Sequence, residues 1–242
     1  MFPISLYVGI TTQTEPIAEI LIVDDGSPDG TARFVRTQAL SDPRLHILER
    51  PGKLGLGTAY IAGFKIAIEA GADVIVQMDA DLSHDPAEIP VLVAATVAAD
   101  VVIGSRYVQG GRIENWPPHR RMMSRAANKY ARNVLGLRIR DVTTGYRAWR
   151  AKSLATLPLD EIRNEGYAFL TEMAMLASRQ GLILTEHPIT FRDRTAGASK
   201  MRFKEVFDGV LMLAKVRLSQ RGRARVDAST SAPVDLATAP RL

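Results

Sequence analysis

The sequence predicts an α/β fold with a mostly parallel central sheet that is covered by helices on both faces. Apolar, β-branched segments of strand length alternate with segments of helical periodicity through the first half of the chain. Strands that alternate with helices usually pair in parallel, because a parallel connection needs a long crossover. Three of these strands lead into polar residues: 19–24 into Asp25, 74–78 into Asp79 and Asp81, and 101–103 into Ser105 and Arg106. Ligands of such sheets bind beyond these strand ends, so a binding site is expected there.

Local signals predict the remaining elements of the first half. The cluster Gly26–Gly30 separates the first strand from a helix that begins at Thr31, and the glycine-rich segment 50–57 precedes the next helix. The predicted order is strand 19–24, helix 31–40, strand 44–48, helix 58–70, strand 74–78, helix 86–98 and strand 101–103.

The second half has a different pattern. Residues 110–119 indicate an irregular loop, and residues 120–135 indicate a basic amphipathic helix that ends at Gly136. The further predicted elements are a loop entering a strand at 141–149, a helix at 168–179, an extended segment at 182–191 and a helix at 204–220. The last helix has apolar residues at helical spacing, which fits either docking on the core or lying on a membrane surface.

The composition indicates one large soluble domain. Apolar residues make up 46% and charged residues 24% of the 242 residues, and no apolar run reaches the length of a membrane span. The first residues lack the basic region and cleavage site of a signal peptide. Because cysteine is absent, disulfides, thiolate metal sites and cysteine nucleophiles are excluded. A cytoplasmic location fits these features.

The basic charge is concentrated in the last fifth of the chain. Residues 192–242 contain eleven basic and five acidic residues, whereas residues 1–191 contain 20 basic and 21 acidic residues. Such a segment suits anionic lipid or a phosphorylated substrate, and nucleic acid is disfavoured because no nucleic-acid-binding motif accompanies it. Residues 221–242 are predicted to be a disordered, basic, low-complexity tail.

Asp79 and Asp81 are the first candidates for chemistry. Side chains at i and i+2 of an extended segment point to the same side, with Cα atoms about 6.6 Å apart. Two such carboxylates repel unless a cation lies between them, and oxygen ligands favour Mg²⁺ or Mn²⁺. The alternative is a solvated loop after a strand. His84 follows the acids and is interpreted as a structural residue rather than a base or ligand.

Six motifs in order resemble the family 2 glycosyltransferases, and within them the dolichol-phosphate mannosyltransferase group. They are Val23–Thr31 (VDDGSPDGT), Lys53–Tyr60 (KLGLGTAY), Met78–His84 (MDADLSH), Gly104–Tyr107 (GSRY), Thr144–Arg147 (TGYR) and Gly197–Lys200 (GASK). The resemblance extends from about Glu19 to Lys215 and assigns residues 19–220 to the glycosyltransferase domain. It implies a nucleotide-diphospho-sugar transferase (GT-A, Rossmann-like) fold. The implied reaction is metal-dependent, inverting transfer of mannose from GDP-mannose to a polyprenyl or dolichyl phosphate.

The resemblance also implies roles for individual residues. Asp79 and Asp81 match the metal ligands, and Mg²⁺ or Mn²⁺ is the implied cofactor. The implied nucleotide-sugar-binding residues are Val23, Asp25, Asp79, Ala80, Asp81, Arg106, Arg194 and Lys200. The implied catalytic residues are Asp81, Arg106, Arg120 and Arg194. The other arginines after Arg120, namely Arg121, Arg125 and Arg132, are interpreted as surface charge.

The start of the chain departs from the family pattern. The family begins with a strand, a short Pro-Thr-Tyr-Asn-Glu type motif and a helix, whereas no such motif occurs in the 18 residues before Glu19. Residues 1–18 are therefore predicted to be a truncated or atypical start, in which the first strand is missing or replaced by residues 4–8. A parallel crossover does not fit into so short a segment.

Several alternatives remain open at this point. A receiver domain of a two-component system also places paired acids after its strands, and a non-catalytic relative that binds a partner or lipid is a third possibility. Within the transferases, UDP-glucose is the alternative donor. Because a polyprenyl phosphate resides in the bilayer, the chain is expected to dock peripherally on the cytoplasmic face of the membrane or to use a membrane-spanning partner subunit.

Overall fold

The computed structural model describes residues 19–162 and 164–193. It has eight strands in this part of the chain: β1 Ile20–Asp24, β2 Leu45–Glu49, β3 Val74–Gln77, β4 Val101–Ser105, β5 Arg112–Glu114, β6 Arg147–Arg150, β7 Leu184–Pro188 and β8 Thr190–Arg192. The α-helices of the same part are α1 Thr31–Ala39, α2 Leu56–Glu69, α3 Ile89–Ala95, α4 Pro118–Leu135, α5 Ala151–Leu154 and α6 Gly166–Arg179. Short 3-10 turns lie at Pro86–Glu88 and Leu159–Glu161.

The α/β fold is confirmed, with an antiparallel strand that the sequence pattern did not reveal. The largest sheet has the order β3-β6-β4-β7, in which β4 and β7 are parallel and β6 is antiparallel to both of its neighbours. Three of its four strands therefore share one direction. The strand β6 enters between β3 and β4 although it follows β4 by about 40 residues in the sequence. Sequence periodicity carries no information on such an insertion.

Two smaller parallel pairs complete the strand arrangement. The strands β1 and β2 pair in one, and β5 and β8 pair in the other. Among the described residues, β1 and β3 each have only one strand neighbour, and α2 packs against both of them. The side chain of Val23 lies 3.4 Å from the position that a Cβ atom on Gly63 would occupy. Helix α2 therefore joins the small β1–β2 sheet to the large sheet.

Some boundaries differ from the sequence prediction. The extended segment predicted at 182–191 is divided into β7 and β8, and the loop predicted at 110–119 contains β5. The helix predicted at 86–98 is a 3-10 turn followed by the shorter α3. The predicted start at 1–18, the helix at 204–220 and the tail at 221–242 lie outside the described residues.

The hydrophobic core lies on both faces of the large sheet. In β4, Val101 and Ile103 belong to one buried cluster and Val102 belongs to the other. The first cluster contains Trp149 of β6 and Phe169 of α6, whose rings contact Phe64 and Tyr60 of α2, respectively. Burial on both faces explains why β4 is a continuous apolar run rather than an alternating one. Within the described ranges, no helix is both long and apolar enough to cross a bilayer.

Candidate active site

The loop after β3 holds the two carboxylates that the sequence analysis singled out. Asp79 and Asp81 are both partly exposed, and Ala80 between them is exposed. Leu82, directly after Asp81, has a φ of 65°, which is rare for a residue with a branched side chain. The backbone N–H of Ser83 donates to Asp81 Oδ1 at 3.0 Å. The tight turn therefore holds the carboxylate of Asp81 at the end of the strand, and such strain is common at functional sites.

Asp79 is oriented by a tyrosine of helix α2. The Tyr60 hydroxyl donates to Asp79 Oδ1 at 2.5 Å. Burial and the negative charge of Asp79 raise the pKa of Tyr60 well above its usual value, so Tyr60 remains a hydrogen-bond donor at neutral pH. On the opposite side, a Cβ atom at Gly145 would lie 3.2 Å from Asp79 Oδ1. The position of Asp79 is therefore set by α2 and by the loop before β6.

His84 is buried below the loop of Asp79 and Asp81, which we call the acid loop. Its ring packs against Tyr146 and Phe191 with centroid distances of 4.9 and 5.4 Å. Its Nε2 atom lies 3.8 Å from Asp79 Oδ2, too far for a hydrogen bond, and neither ring nitrogen has a hydrogen-bond partner among the described residues. These contacts agree with the interpretation of His84 as a packing residue beneath the carboxylates.

The residues of the acid loop fit a hard divalent cation. Asp79 and Asp81 offer oxygen donors on one short loop, the ligand type that Mg²⁺ and Mn²⁺ prefer. No group of three or more His, Cys, Asp or Glu side chains within residues 19–162 and 164–193 is arranged to hold a metal ion. Asp79 and Asp81 would hold such a cation together with oxygens of the substrate and water, as is usual for Mg²⁺ beside nucleotide phosphates.

Arg106 lies inside the protein instead of projecting into a cleft. Its side chain is 4% exposed, and its Nε and one terminal nitrogen donate to the two oxygens of Asp141 at 2.7 and 2.8 Å. The same terminal nitrogen donates to Thr143 Oγ1 at 2.8 Å. The resemblance implied a cation that faces phosphate, whereas these contacts turn the guanidinium toward Asp141. They favour a role of Arg106 in positioning the loop after β4.

Arg120, in the first turn of α4, lies at the border of the site. One terminal nitrogen donates to both carboxylate oxygens of Asp193 at 3.0 Å. Its guanidinium carbon lies 4.0 Å from the ring centroid of Trp116, a cation–π contact. Its side chain is 18% exposed, more than that of Arg106. Of the predicted cations in the described residues, Arg120 is therefore the better placed to reach an anionic ligand.

An aromatic pair connects the acid loop with Arg120. Trp116 and Phe191 contact each other edge to face at a centroid distance of 5.3 Å. Phe191 also contacts His84, and the backbone N–H of Arg192 donates to the carbonyl of Ser83. The strand β8 therefore bridges the loop after β3 and the start of α4. These packed rings set the separation between the carboxylates and the cation.

The nucleotide-side residues of the prediction lie at the end of β1. Val23 is half-buried, and Asp25 forms a bidentate ion pair with Arg50 at 2.5 and 2.7 Å. Arg50 also donates to the Gly55 carbonyl and to Thr58, at the start of α2. Asp25 is thus linked through Arg50 to the start of α2. The predicted residues Arg194 and Lys200 lie outside the described part of the chain.

Sequence reasoning missed several residues that build the site. Tyr60 closes the Lys53–Tyr60 motif, so its place in that motif was a usable signal. Asp141 had no such signal, because its partner Arg106 is 35 residues away and only folding brings them together. The same holds for Trp116 and Phe191, which meet across the β5–β8 pair.

The comparison with known sequences decides the family. The profile described as Glycosyl transferase family 2 matches residues 8–157, which is more than half of the chain. The chain belongs to glycosyl transferase family 2. This family 2 glycosyltransferase is therefore an enzyme of the predicted class, and the receiver-domain alternative was wrong.

Two relatives of this family 2 glycosyltransferase align with it over most of both chains. It is 45% identical over 216 residues to the undecaprenyl-phosphate mannosyltransferase of Micrococcus luteus, with 89% of each chain covered. It is 43% identical over 212 residues to the polyprenol monophosphomannose synthase of Mycolicibacterium smegmatis, which covers 87% of this chain and 80% of that one. A dolichol-phosphate mannosyltransferase of Pyrococcus furiosus is 38% identical over 195 residues, 78% of this chain and 52% of the relative.

Solved structures support the fold of this glycosyltransferase. Glucosyl-3-phosphoglycerate synthase of Mycobacterium tuberculosis superimposes with a TM-score of 0.57 at 18% identity, over 85% of this chain and 70% of that one. Another structure of that enzyme, in complex with Mn²⁺, UDP and glucosyl-3-phosphoglycerate, has a TM-score of 0.56 at 18% identity, over 85% and 69% of the two chains. At this identity the likeness extends to the fold, and it confirms the predicted GT-A architecture.

The Tyr60–Asp79 hydrogen bond leads to a testable prediction. Replacing Tyr60 with phenylalanine removes the donor while keeping the ring that stacks on Phe64 and Phe169. Hydrogen bonds to charged groups contribute roughly 1.5–3 kcal/mol, so we expect about a 10- to 100-fold lower kcat/KM for glycosyl transfer. Steady-state kinetics and the melting temperature of the variant would be measured together.

The control for this variant is Tyr107→Phe, which removes a hydroxyl that donates to Ser124 Oγ instead of to Asp79. It should retain more activity than Tyr60→Phe. Equal kinetics of Tyr60→Phe and the unmodified enzyme would show that the tyrosine does not orient Asp79.

Proposed function

We propose that this enzyme transfers mannose from GDP-mannose to a polyprenyl phosphate, with inversion at the anomeric carbon and with Mg²⁺ or Mn²⁺. The observation that carries the proposal is the 45% identity, over 89% of both chains, with a relative named undecaprenyl-phosphate mannosyltransferase. A second relative, the polyprenol monophosphomannose synthase, is 43% identical, and its name describes the same kind of product. The carboxylate pair on the loop after β3 suits a nucleotide-sugar donor.

The acceptor in this reaction needs no protein base. The second pKa of a phosphate monoester is about 6, so the acceptor is largely dianionic at neutral pH and is already a nucleophile. One of its oxygens attacks the anomeric carbon, and the bond from that carbon to the nucleotide diphosphate breaks. The main requirement is to hold two anions close together despite their repulsion. Cationic side chains and the metal are suited to that task.

The residues divide these tasks in the proposed mechanism. Asp79 and Asp81 would hold the metal, which when bound neutralises the charge of the departing diphosphate. Tyr60 keeps Asp79 oriented toward the sugar. Arg120, supported by Asp193 and Trp116, binds phosphate oxygens through its guanidinium. Arg106 acts as a positioning residue.

The remaining assignments follow from the family resemblance. Val23, Asp25 and Ala80 would contact the nucleoside part of the donor, with Asp25 supported by Arg50. Arg194 and Lys200 would add positive charge toward the diphosphate and the acceptor phosphate. The enzyme would act on the cytoplasmic face of the membrane, where it is held peripherally or by a membrane-spanning partner subunit.

The test is transfer of labelled mannose into a lipid-extractable product. The protein would be incubated in detergent with labelled GDP-mannose, a polyprenyl phosphate and Mg²⁺ or Mn²⁺, with parallel reactions containing a chelator or labelled UDP-glucose. We expect a labelled product with GDP-mannose only and no product with the chelator. Product from UDP-glucose but not from GDP-mannose would show that the enzyme transfers glucose instead of mannose. No product from either donor would contradict the proposed reaction.

A further inference from the structure

Helix α4 carries an exposed surface on which basic and apolar side chains lie side by side. The basic row consists of Arg121, Arg125 and Lys129, spaced four residues apart, and all three are exposed. The apolar row beside it consists of Met122, Ala126 and Tyr130, with Met122 68% and Tyr130 38% exposed. Residues four apart lie on one face of a helix, so each row is continuous. We call these six residues the α4 surface.

The charge of this region has one sign. No Asp or Glu occurs between Glu114 and Asp141, whereas seven Lys and Arg residues do. Within the described residues, no carboxylate forms an ion pair with a member of the basic row. A surface whose cations have no carboxylate partner in the described part of the chain, next to exposed apolar side chains, is suited to an anionic lipid bilayer, where cations meet headgroups and the apolar side chains enter the interface. Arg125 also lies 5.9 Å from the ring centroid of Tyr107, a contact that leaves its charge uncompensated.

The opposite face of α4 is fixed to the site. Asn128 is buried, accepts from the backbone N–H of Val142 and donates to Thr143, next to the Arg106–Asp141 pair. Ser124 accepts from Tyr107, and Ala131 belongs to the core. The first turn of the helix carries Arg120. A helix held in this way cannot rotate to hide the α4 surface.

We propose that the α4 surface docks this enzyme on anionic bilayers. The inference rests on the proposed function, because a lipid-linked acceptor places the reacting phosphate at the headgroup level. Docking through α4 would bring Arg120, at its start, to that level while the nucleotide side of the site faces the aqueous phase. The partner of the α4 surface is thus an anionic lipid surface, not a protein.

The experiment is flotation of the whole chain with vesicles. Vesicles of phosphatidylcholine with or without phosphatidylglycerol would be used at low and physiological salt. The triple variant Arg121→Gln/Arg125→Gln/Lys129→Gln removes the basic row. Since each basic residue near an anionic membrane strengthens binding about fivefold, the variant should bind roughly 100-fold more weakly. The variant Met122→Ser/Tyr130→Ser should weaken binding even at physiological salt, where electrostatic attraction is screened.

The matched control is Arg33→Gln/Arg36→Gln/Lys152→Gln, which removes three exposed charges outside α4. This control should bind vesicles nearly as well as the unmodified chain. Circular dichroism melting would confirm that all variants fold. Equal binding of the α4 variant and the control, or no binding of the unmodified chain to anionic vesicles, would overturn the proposal. Binding to a short DNA duplex without binding to vesicles would also overturn it.

A second readout separates this proposal from the proposed function. Transfer to a short-chain polyprenyl phosphate dissolved without a bilayer should be unchanged in the α4 triple variant, whereas transfer to acceptor embedded in anionic vesicles should fall. Equal transfer to the embedded acceptor by this variant and the control would contradict docking and leave the mannosyltransferase activity intact. Absence of transfer to the dissolved acceptor in every protein would instead contradict the proposed function.

Discussion

Replacing Asp81 with alanine is expected to lower mannosyl transfer by about 100- to 1000-fold, the usual effect of removing a group that stabilises developing charge. Asp81 is a carboxylate of the acid loop, and in the proposed mechanism it holds the metal beside the diphosphate. Stability should change little, because Asp81 is partly exposed. Initial rates with saturating GDP-mannose would measure the effect.

The control for Asp81→Ala is Asp73→Ala, which removes an exposed carboxylate just before β3, at the opposite end of the strand. This control should keep nearly full activity. Mn²⁺ binding, followed by the electron paramagnetic resonance signal of free Mn²⁺ in the presence of GDP, should weaken in Asp81→Ala and not in the control. Unchanged Mn²⁺ affinity in Asp81→Ala would contradict the assignment of this residue to the metal.

Replacing Asp141 with alanine is expected to destabilise the protein by about 3–5 kcal/mol, because it leaves the buried Arg106 guanidinium without its counter-charge. Asp141 is fully buried and accepts three hydrogen bonds from Arg106, one from the backbone and two from the side chain. For a chain of this size the loss corresponds to a fall of the melting temperature by roughly 6–20 °C. Thermal and urea unfolding would measure it.

The control for Asp141 is Asp160→Ala, which breaks an exposed ion pair with Lys65. Surface pairs contribute about 1 kcal/mol or less, so this variant should melt near the unmodified protein. Asp141→Asn keeps the shape of the side chain but removes its charge. Its melting temperature should lie between those of Asp141→Ala and Asp160→Ala. Equal melting of Asp141→Ala and Asp160→Ala would show that the buried pair does not hold the loop after β4.

The Arg106–Asp141 pair makes the free energy of unfolding depend on pH in the acidic range. Burial opposes ionisation of Asp141, but the positive charge of Arg106 and its hydrogen bonds outweigh this effect and lower the pKa of Asp141. The folded pKa is therefore below the unfolded value of about 3.9. The stabilisation is complete above that value and is lost as the pH falls through the folded pKa. Below about pH 4, the free energy of unfolding of Asp141→Asn should therefore depend less on pH than that of the unmodified protein.

The carboxylates of the site were predictable because they are local features. A strand that ends in Asp79 and Asp81 is visible in the order of residues, and the observed β3 ends just before them. The alternation of strands and helices likewise predicted the α/β class. The assignment of Asp79 and Asp81 to a metal stays a prediction, because substrate oxygens and water would have to supply the other ligands.

The role of a cation is harder to read from a sequence. Arg106 and Arg120 both match cationic motif positions, yet the structure buries the first against Asp141 and places the second on Trp116 at the border of the site. A charged residue takes its role from the groups around it, because a buried guanidinium must be neutralised while a partly exposed one can bind ligand. Those groups lie far away in the sequence.

The order of residues alone determined the α/β class, the strand ends and the acid pair, since each depends on periodicity and on neighbours within a few positions. Packing decided that β6 enters between β3 and β4, that Tyr60 holds Asp79, and that Trp116 and Phe191 join the acid loop to Arg120. These contacts join segments separated by many residues. Such contacts form only when burial of the core fixes the relative positions of the elements, and no local pattern encodes them.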